Sequence, residues 1–134
     1  MPCDVGKQAL DFLMDNSGSR TNLEVDFFGG EPLMNWQVVK ELVNYARQQE
    51  GPRHKNFRFT LTTNGMLLND EIIDFINKEM SNVVLSIDGR PEVNDRLRVR
   101  VDKTGSYISH EGCLLRRVDA GRIKTSVIGF GCAA

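Results

Sequence analysis

The stretch Asp26-Phe27-Phe28-Gly29-Gly30-Glu31-Pro32 closes a strand-like run and opens onto a helical pattern. Two adjacent glycines permit backbone conformations and close approaches that other residues deny, and a carboxylate follows at once. Such a turn at the C-terminal end of a parallel strand suits a ligand carrying a positively charged amine.

Around this turn the chain alternates between two periods. Residues 4–17 read as a helix, with Asp4 as its N-cap and Val5, Ala9, Phe12 and Leu13 as its apolar face. Residues 23–28 alternate as a strand. A second helix is expected over about 35–49, with Val38, Val39, Leu42, Val43 and Ala46 inward and Gly51-Pro52 as its stop. Residues 56–63 read as a second strand. Asn69 is placed to cap a third helix that buries Ile72, Ile73, Ile76 and Met80, and residues 82–88 form a third strand. Strands that alternate with helices imply right-handed crossovers and a parallel sheet.

The strand faces narrow the architecture. Leu23, Val25 and Phe27 share one face of the first strand, and Glu24, Asp26 and Phe28 share the other. In the second, Phe57, Phe59 and Leu61 oppose Arg58, Thr60, Thr62 and Asn64; in the third, Val83, Leu85 and Ile87 oppose Val84, Ser86 and Asp88. A sheet covered on both faces would read as continuous apolar runs instead. One oily and one polar face imply an α/β fold of the partial (β/α) barrel kind, with three parallel strands, helices outside and a wet interior. Asp26 and Arg58 are expected to pair inside it.

Ligands of parallel α/β folds bind beyond the C-terminal strand ends. Three such ends are present: Gly29-Gly30-Glu31-Pro32, Thr62-Thr63-Asn64-Gly65 and Ser86-Ile87-Asp88-Gly89. Each taken singly is equally a tight turn, and Asn64-Gly65 is also a hairpin dipeptide. Their placement on one rim is what makes a site. Farther on, Arg96, Arg98 and Arg100 alternate as a solvated edge or offer one carboxylate clamp.

Bulk properties restrict the function. A net charge of −1 gives no global field toward nucleic acid or anionic membrane. No apolar run reaches transmembrane length and no signal-peptide pattern opens the chain, so a cytoplasmic protein is expected. Cys3, Cys113 and Cys132 are an odd set without close pairs, which argues against a disulfide framework or a CxxC zinc site. His54 and His110 read as surface residues, and no metal ligand or catalytic residue is assigned.

The order strand-GGEP, strand-TTNG, strand-SIDG resembles the radical S-adenosylmethionine enzymes over roughly residues 4–107. Within them the chain is most similar to the peptide-modifying branch with a C-terminal SPASM domain, above all the thioether maturases of six-cysteine (SCIFF) peptides. The resemblance implies S-adenosylmethionine as cofactor, with Gly29, Gly30, Glu31, Pro32, Asn64, Ser86, Asp88 and Arg98 binding it. Gly29 and Gly30 would present carbonyls to the ammonium and Glu31 would help neutralise it. Asn64 and Ser86 would hydrogen-bond the ribose or methionyl group, and Arg98, in a D-x-x-R run with Asp95, would hold the carboxylate. It also implies a [4Fe-4S] cluster that cleaves the cofactor to a deoxyadenosyl radical, and a ribosomally made cysteine-rich precursor peptide as partner.

The sequence departs from that pattern at two places. The CxxxCxxC motif that would supply thiolates to the cluster is missing from the chain. Met1 is therefore expected to be an internal start, with the first strand and cluster loop absent. Residues 1–107 are expected to form a partial barrel core, and residues 108–134 an irregular tail with neither period. A three-strand slice with open edges is expected to be poorly soluble and, alone, inactive in radical chemistry. The rival expectation is a non-enzymatic α/β module that binds a nucleotide-type ligand.

Overall fold

The two-faced alternation becomes a parallel sheet in the computed structural model, which describes residues 1–86 and the backbone of residues 126–130. The elements are α1 (Cys3–Asn16), β1 (Asn22–Phe27), α2 (Trp36–Arg53), β2 (Asn56–Thr63), α3 (Asp70–Glu79), β3 (Asn82–Ser86) and β4 (Ser126–Phe130), with a 3-10 turn at Pro32–Asn35 leading into α2. The strands lie in the order β1-β2-β3-β4 and every neighbouring pair is parallel.

The strand β4 departs from the expectation of an irregular tail. Residues 126–130 pair with β3 from Asn82↔Ser126 to Ser86↔Phe130, so a fourth strand covers an edge expected to be open. Gly129 interrupts a short apolar run there, and a run of that length does not reveal its period. Among the described residues the sheet edges are β1 and β4. The remainder of 87–134 lies outside the described residues.

The face assignments hold for β1 and β2, whereas in β3 Val84 of the polar face is buried along with Val83 and Leu85, and Ile87 and Asp88 lie outside the described residues. Leu23, Phe57, Phe59, Leu61, Val83 and Leu85 are buried against the helices, whereas Glu24, Asp26 and Arg58 on the opposite face are exposed. Phe59 stacks between Phe57 at 5.8 Å and Phe27 at 5.9 Å between ring centroids. Burying each of these rings contributes about 2–3 kcal/mol. The expected Asp26–Arg58 pair does not form. The β1–β2 register sets Arg58 opposite Glu24, 3.7 Å away, and Asp26 opposite Thr60. Sequence alternation fixes a residue's face but not its parallel register.

Helix boundaries follow local chemistry. Asn69 caps α3 as expected, its side chain accepting from Ile72 N at 2.8 Å. Asp4 is not the cap of α1. Pro2 holds that position without a side-chain bond, and Asp4 sits in the first turn, where a carboxylate still favours the helix dipole. The buried row of α1 is Gly6, Leu10 and Met14; Val5 and Phe12, expected inward, face solvent. Gly6 explains the rotation, since a Cβ there would lie 2.6 Å from Leu42 Cδ1 and hold α1 off α2.

The expected stop at Gly51-Pro52 also fails, because α2 continues to Arg53 and ends on left-handed His54. Proline crowds the Cβ of the residue before it, and Gly51 has none. The lost amide bond falls in the final turn, which Glu50 ties to β2 by accepting from Phe57 N at 2.7 Å.

Arg47 joins three elements. It donates to Glu79 at 3.0 Å, to Glu50 at 2.6 Å and to the Phe57 carbonyl at 2.9 Å, and its guanidinium lies 4.9 Å from the Phe59 ring centroid. Burial alone would lower its pKa, but Glu79 and Glu50 outweigh burial and hold it above the usual value. Arg47→Met keeps the apolar stem and removes the bonds that both carboxylates accept from the guanidinium. The variant is expected to lose about 2 kcal/mol in urea unfolding, whereas Arg58→Met, at an exposed pair, is expected to lose less than about 0.5 kcal/mol.

Candidate active site

The rim is built where β1, β2 and β3 end. After Phe27 the backbone turns through Gly29 at φ 98° and Gly30 at φ 58°, both in the left-handed region. A Cβ added at either would meet nothing within 4 Å. The glycines are therefore required by backbone conformation, and open space lies beside them for a ligand.

A cavity of about 200 Å³ is lined by Phe28, Gly29, Gly30, Thr62, Thr63, Asn64 and Ser86. It brings together four of the expected site residues: Gly29, Gly30, Asn64 and Ser86. Glu31 and Pro32 line a neighbouring cavity of about 320 Å³ on the helix side, with Val38, Val39 and Leu42. Asp88 and Arg98 lie outside the described residues.

The Glu31 carboxylate bridges the two rim loops. Its Oε1 accepts from Leu33 N at 3.1 Å and from Thr63 Oγ1 at 2.6 Å, and its Oε2 accepts from Asn64 N at 2.8 Å. Thr63 is only 1% exposed, and its hydroxyl also accepts from Gly65 N at 3.0 Å. The Asn64 side-chain carbonyl accepts from Met66 N at 3.0 Å and fixes the turn out of β2. On the wet face below, Thr62 Oγ1 lies 3.5 Å from Asp26 Oδ1.

Three lining residues, Phe28, Thr62 and Thr63, were not assigned from the sequence. Thr63 follows Phe57, Phe59 and Leu61 on the oily face, and a hydroxyl at the fourth position of an apolar row was the available signal. Phe28 shares the wet face of β1 and is 76% exposed at the mouth of the cavity.

The cavity offers backbone groups, a carboxamide and hydroxyls, a donor set suited to a zwitterionic or nucleoside ligand. Its volume is below the roughly 300 Å³ at which sites for whole small molecules begin. It has room for one end of a molecule the size of S-adenosylmethionine. The iron–sulfur cluster does not fit the residues present. No group of three or more His, Cys, Asp or Glu able to hold a metal occurs among the described residues. Cys3 lies on α1, where hydrogen bonding toward Glu41 first, and burial second, push its thiol up from the ordinary value.

Residues 2–107 match the model of a family described as a 4Fe-4S single cluster domain. The chain is 32% identical over 98 residues to an uncharacterized protein of Methanocaldococcus jannaschii, covering 73% of this chain and 32% of that protein. It is 30% identical over 87 residues to a cysteine-type anaerobic sulfatase-maturating enzyme of Clostridium novyi, covering 64% of this chain and 23% of the enzyme. It is 29% identical over 66 residues to a radical SAM cyclopropyl synthase of Paramaledivibacter caminithermalis, covering 49% and 13%. The chain thus spans about a third or less of these relatives. The solved structure of native anSMEcpe with bound AdoMet and Kp18Cys peptide has the same fold, with a TM-score of 0.81 and 18% identity over 96% of this chain and 34% of that one.

A side chain at Gly29 forces a non-glycine residue into a rarely populated region without creating a clash. Gly29→Ala is expected to cost about 1–2 kcal/mol of stability in urea unfolding. An unchanged midpoint would show that the turn relaxes freely.

Proposed function

The chain belongs to the 4Fe-4S single cluster domain family, of the radical S-adenosylmethionine type, and on that premise we propose that it forms the S-adenosylmethionine-binding rim of a peptide-modifying enzyme. The carrying observation is the convergence of Gly29, Gly30, Asn64 and Ser86 on one polar cavity at the C-terminal rim of a parallel sheet.

In this proposal the Gly29 and Gly30 carbonyls receive the cofactor's ammonium, and Asn64 and Ser86 hold hydroxyl or methionyl oxygens. Arg98 binds the carboxylate and Asp88 completes the third rim loop; both roles rest on the motif resemblance. The chain's residues bind and orient the cofactor and exclude water from one side of it. They perform no radical step, since Cys3, Cys113 and Cys132 lack cluster spacing. The sulfatase-maturating relative and the peptide in the anSMEcpe structure support a peptide substrate. A cysteine-rich precursor peptide, thioether formation and an associated SPASM domain are the finer parts of the proposal. So is a cytoplasmic setting; no described helix is long and apolar enough to cross a membrane. The missing cysteine motif also favours a second reading, a module that binds the ligand without catalysis.

Titration calorimetry with S-adenosylmethionine tests the rim. Binding is expected, and Asn64→Ala and Ser86→Ala are each expected to weaken it about fivefold, the effect of one hydrogen bond near 1 kcal/mol. No heat with the parent chain would overturn the assignment. Iron analysis after anaerobic reconstitution is expected to find far less than one cluster per chain. Stoichiometric iron and sulfide would show that the three cysteines assemble a site after all.

A further inference from the structure

The cavity shared by Gly29, Gly30, Asn64 and Ser86 leaves one question about its second loop: what keeps residues 63–65 at a fixed distance from the glycine turn. The two segments are 32 and 33 residues apart in sequence where they touch. They touch through one carboxylate. We propose that Glu31 and Thr63 act together as a brace that positions Asn64 for the ligand, and that Glu31 is a positioning residue and not the partner of the ammonium.

Three observations carry this. Glu31 lines the helix-side cavity and not the rim cavity, the two meeting at Phe28 and Gly29, which line both. Its oxygens already accept three hydrogen bonds, from Leu33 N, Thr63 Oγ1 and Asn64 N. A carboxylate has roughly four acceptor positions, so most of its capacity is committed within the fold. Finally, Thr63 is enclosed and its hydroxyl is used twice, donating to Glu31 and accepting from Gly65 N. Charge-assisted bonds are short and directional, and here they run through the Thr63 hydroxyl from one loop to the next. The bond to Leu33 N ties the same carboxylate to the turn that starts α2. The loop carrying Asn64 is therefore set relative to both the glycine turn and α2 by one side chain.

The ligand arm of the test rests on the S-adenosylmethionine reading; the exchange arm does not. Amide hydrogen exchange is measured on the free chain for the parent, Thr63→Val and Thr63→Ser. Thr63→Val keeps the shape and removes the hydroxyl. Asn64 and Gly65 amides are expected to exchange about tenfold faster, while the Phe57 and Phe59 amides within β2 stay unchanged and Thr63→Ser restores protection. Equal acceleration in the middle of β2, or unchanged rates at Asn64 and Gly65, would overturn the brace.

Calorimetry then compares S-adenosylmethionine with 5′-methylthioadenosine, which lacks the amino-acid end. Glu31→Gln and Thr63→Val are expected to weaken both ligands by similar factors, about three- to tenfold. A loss for S-adenosylmethionine in Glu31→Gln that Thr63→Val does not share would assign Glu31 to the ammonium and overturn its positioning role. If the parent binds neither ligand, the cofactor assignment falls and the exchange rates alone decide the brace.

Discussion

A half-buried carboxylate is costly unless donors meet it, so the donors around Glu31 are a constraint on the local chain path. Three elements answer that constraint: the turn at Pro32–Asn35, the last residue of β2 and the first residue beyond it. None can shift without unpairing the charge. The glycines before Glu31 then follow as a requirement, because the chain must leave β1, turn through two left-handed residues and bring residue 31 back beneath the second loop. The rim's shape is thus a consequence of satisfying one charge, and the ligand-facing groups inherit their positions from it.

The sheet imposes the other half of the geometry. Because the helices cover one face, apolar side chains alternate toward them and polar side chains toward the wet side. Arg47 is the exception that holds the covered face together. It is a charged group set among Glu50, Glu79 and the Phe59 ring, and each of its neighbours lies on a different element from the next. Its polar contacts lie at the N-terminal end of β2, while Glu31 works at the C-terminal end. The same strand is therefore pinned at both ends by ionic hydrogen bonds, with Phe59 and Leu61 packed between.

What the sequence disclosed, and what it hid, divides along a physical line. Features set within a few residues were legible: the faces of β1 and β2, the Asn69 cap, the inward rows of α2 and α3, and the first two rim segments. Features set by contact between distant segments were not. The Glu24–Arg58 pairing depends on parallel register, which alternation leaves open. The rotation of α1 depends on Leu42 filling the space above Gly6. The passage of α2 through Pro52 depends on Glu50 anchoring to β2. Thr63 belongs to this class too. Its residue type is ordinary for a strand, and only the approach of Glu31 gives its hydroxyl a purpose. The strand β4 was hidden for a different reason: five residues with a glycine among them are too few to show a period.

The mismatch between a cluster family and a sequence without the CxxxCxxC motif is easier to understand from this distribution of contacts. Each bond that shapes the rim joins residues between 29 and 66, within one strand–helix–strand unit. Nothing in that network calls on Cys3, on the wet face or on β4. A rim whose hydrogen-bond network closes within one strand–helix–strand unit, with Ser86 of β3 added to the cavity wall, is physically separable from chemistry at a bound ligand. The small volume of the cavity fits the same logic, since the unit supplies one wall and one end of a binding site whose other walls would come from other repeats. Recognition of a ligand's polar end and generation of a radical thus place separate demands on a chain, and the proposed role of the described residues is the first.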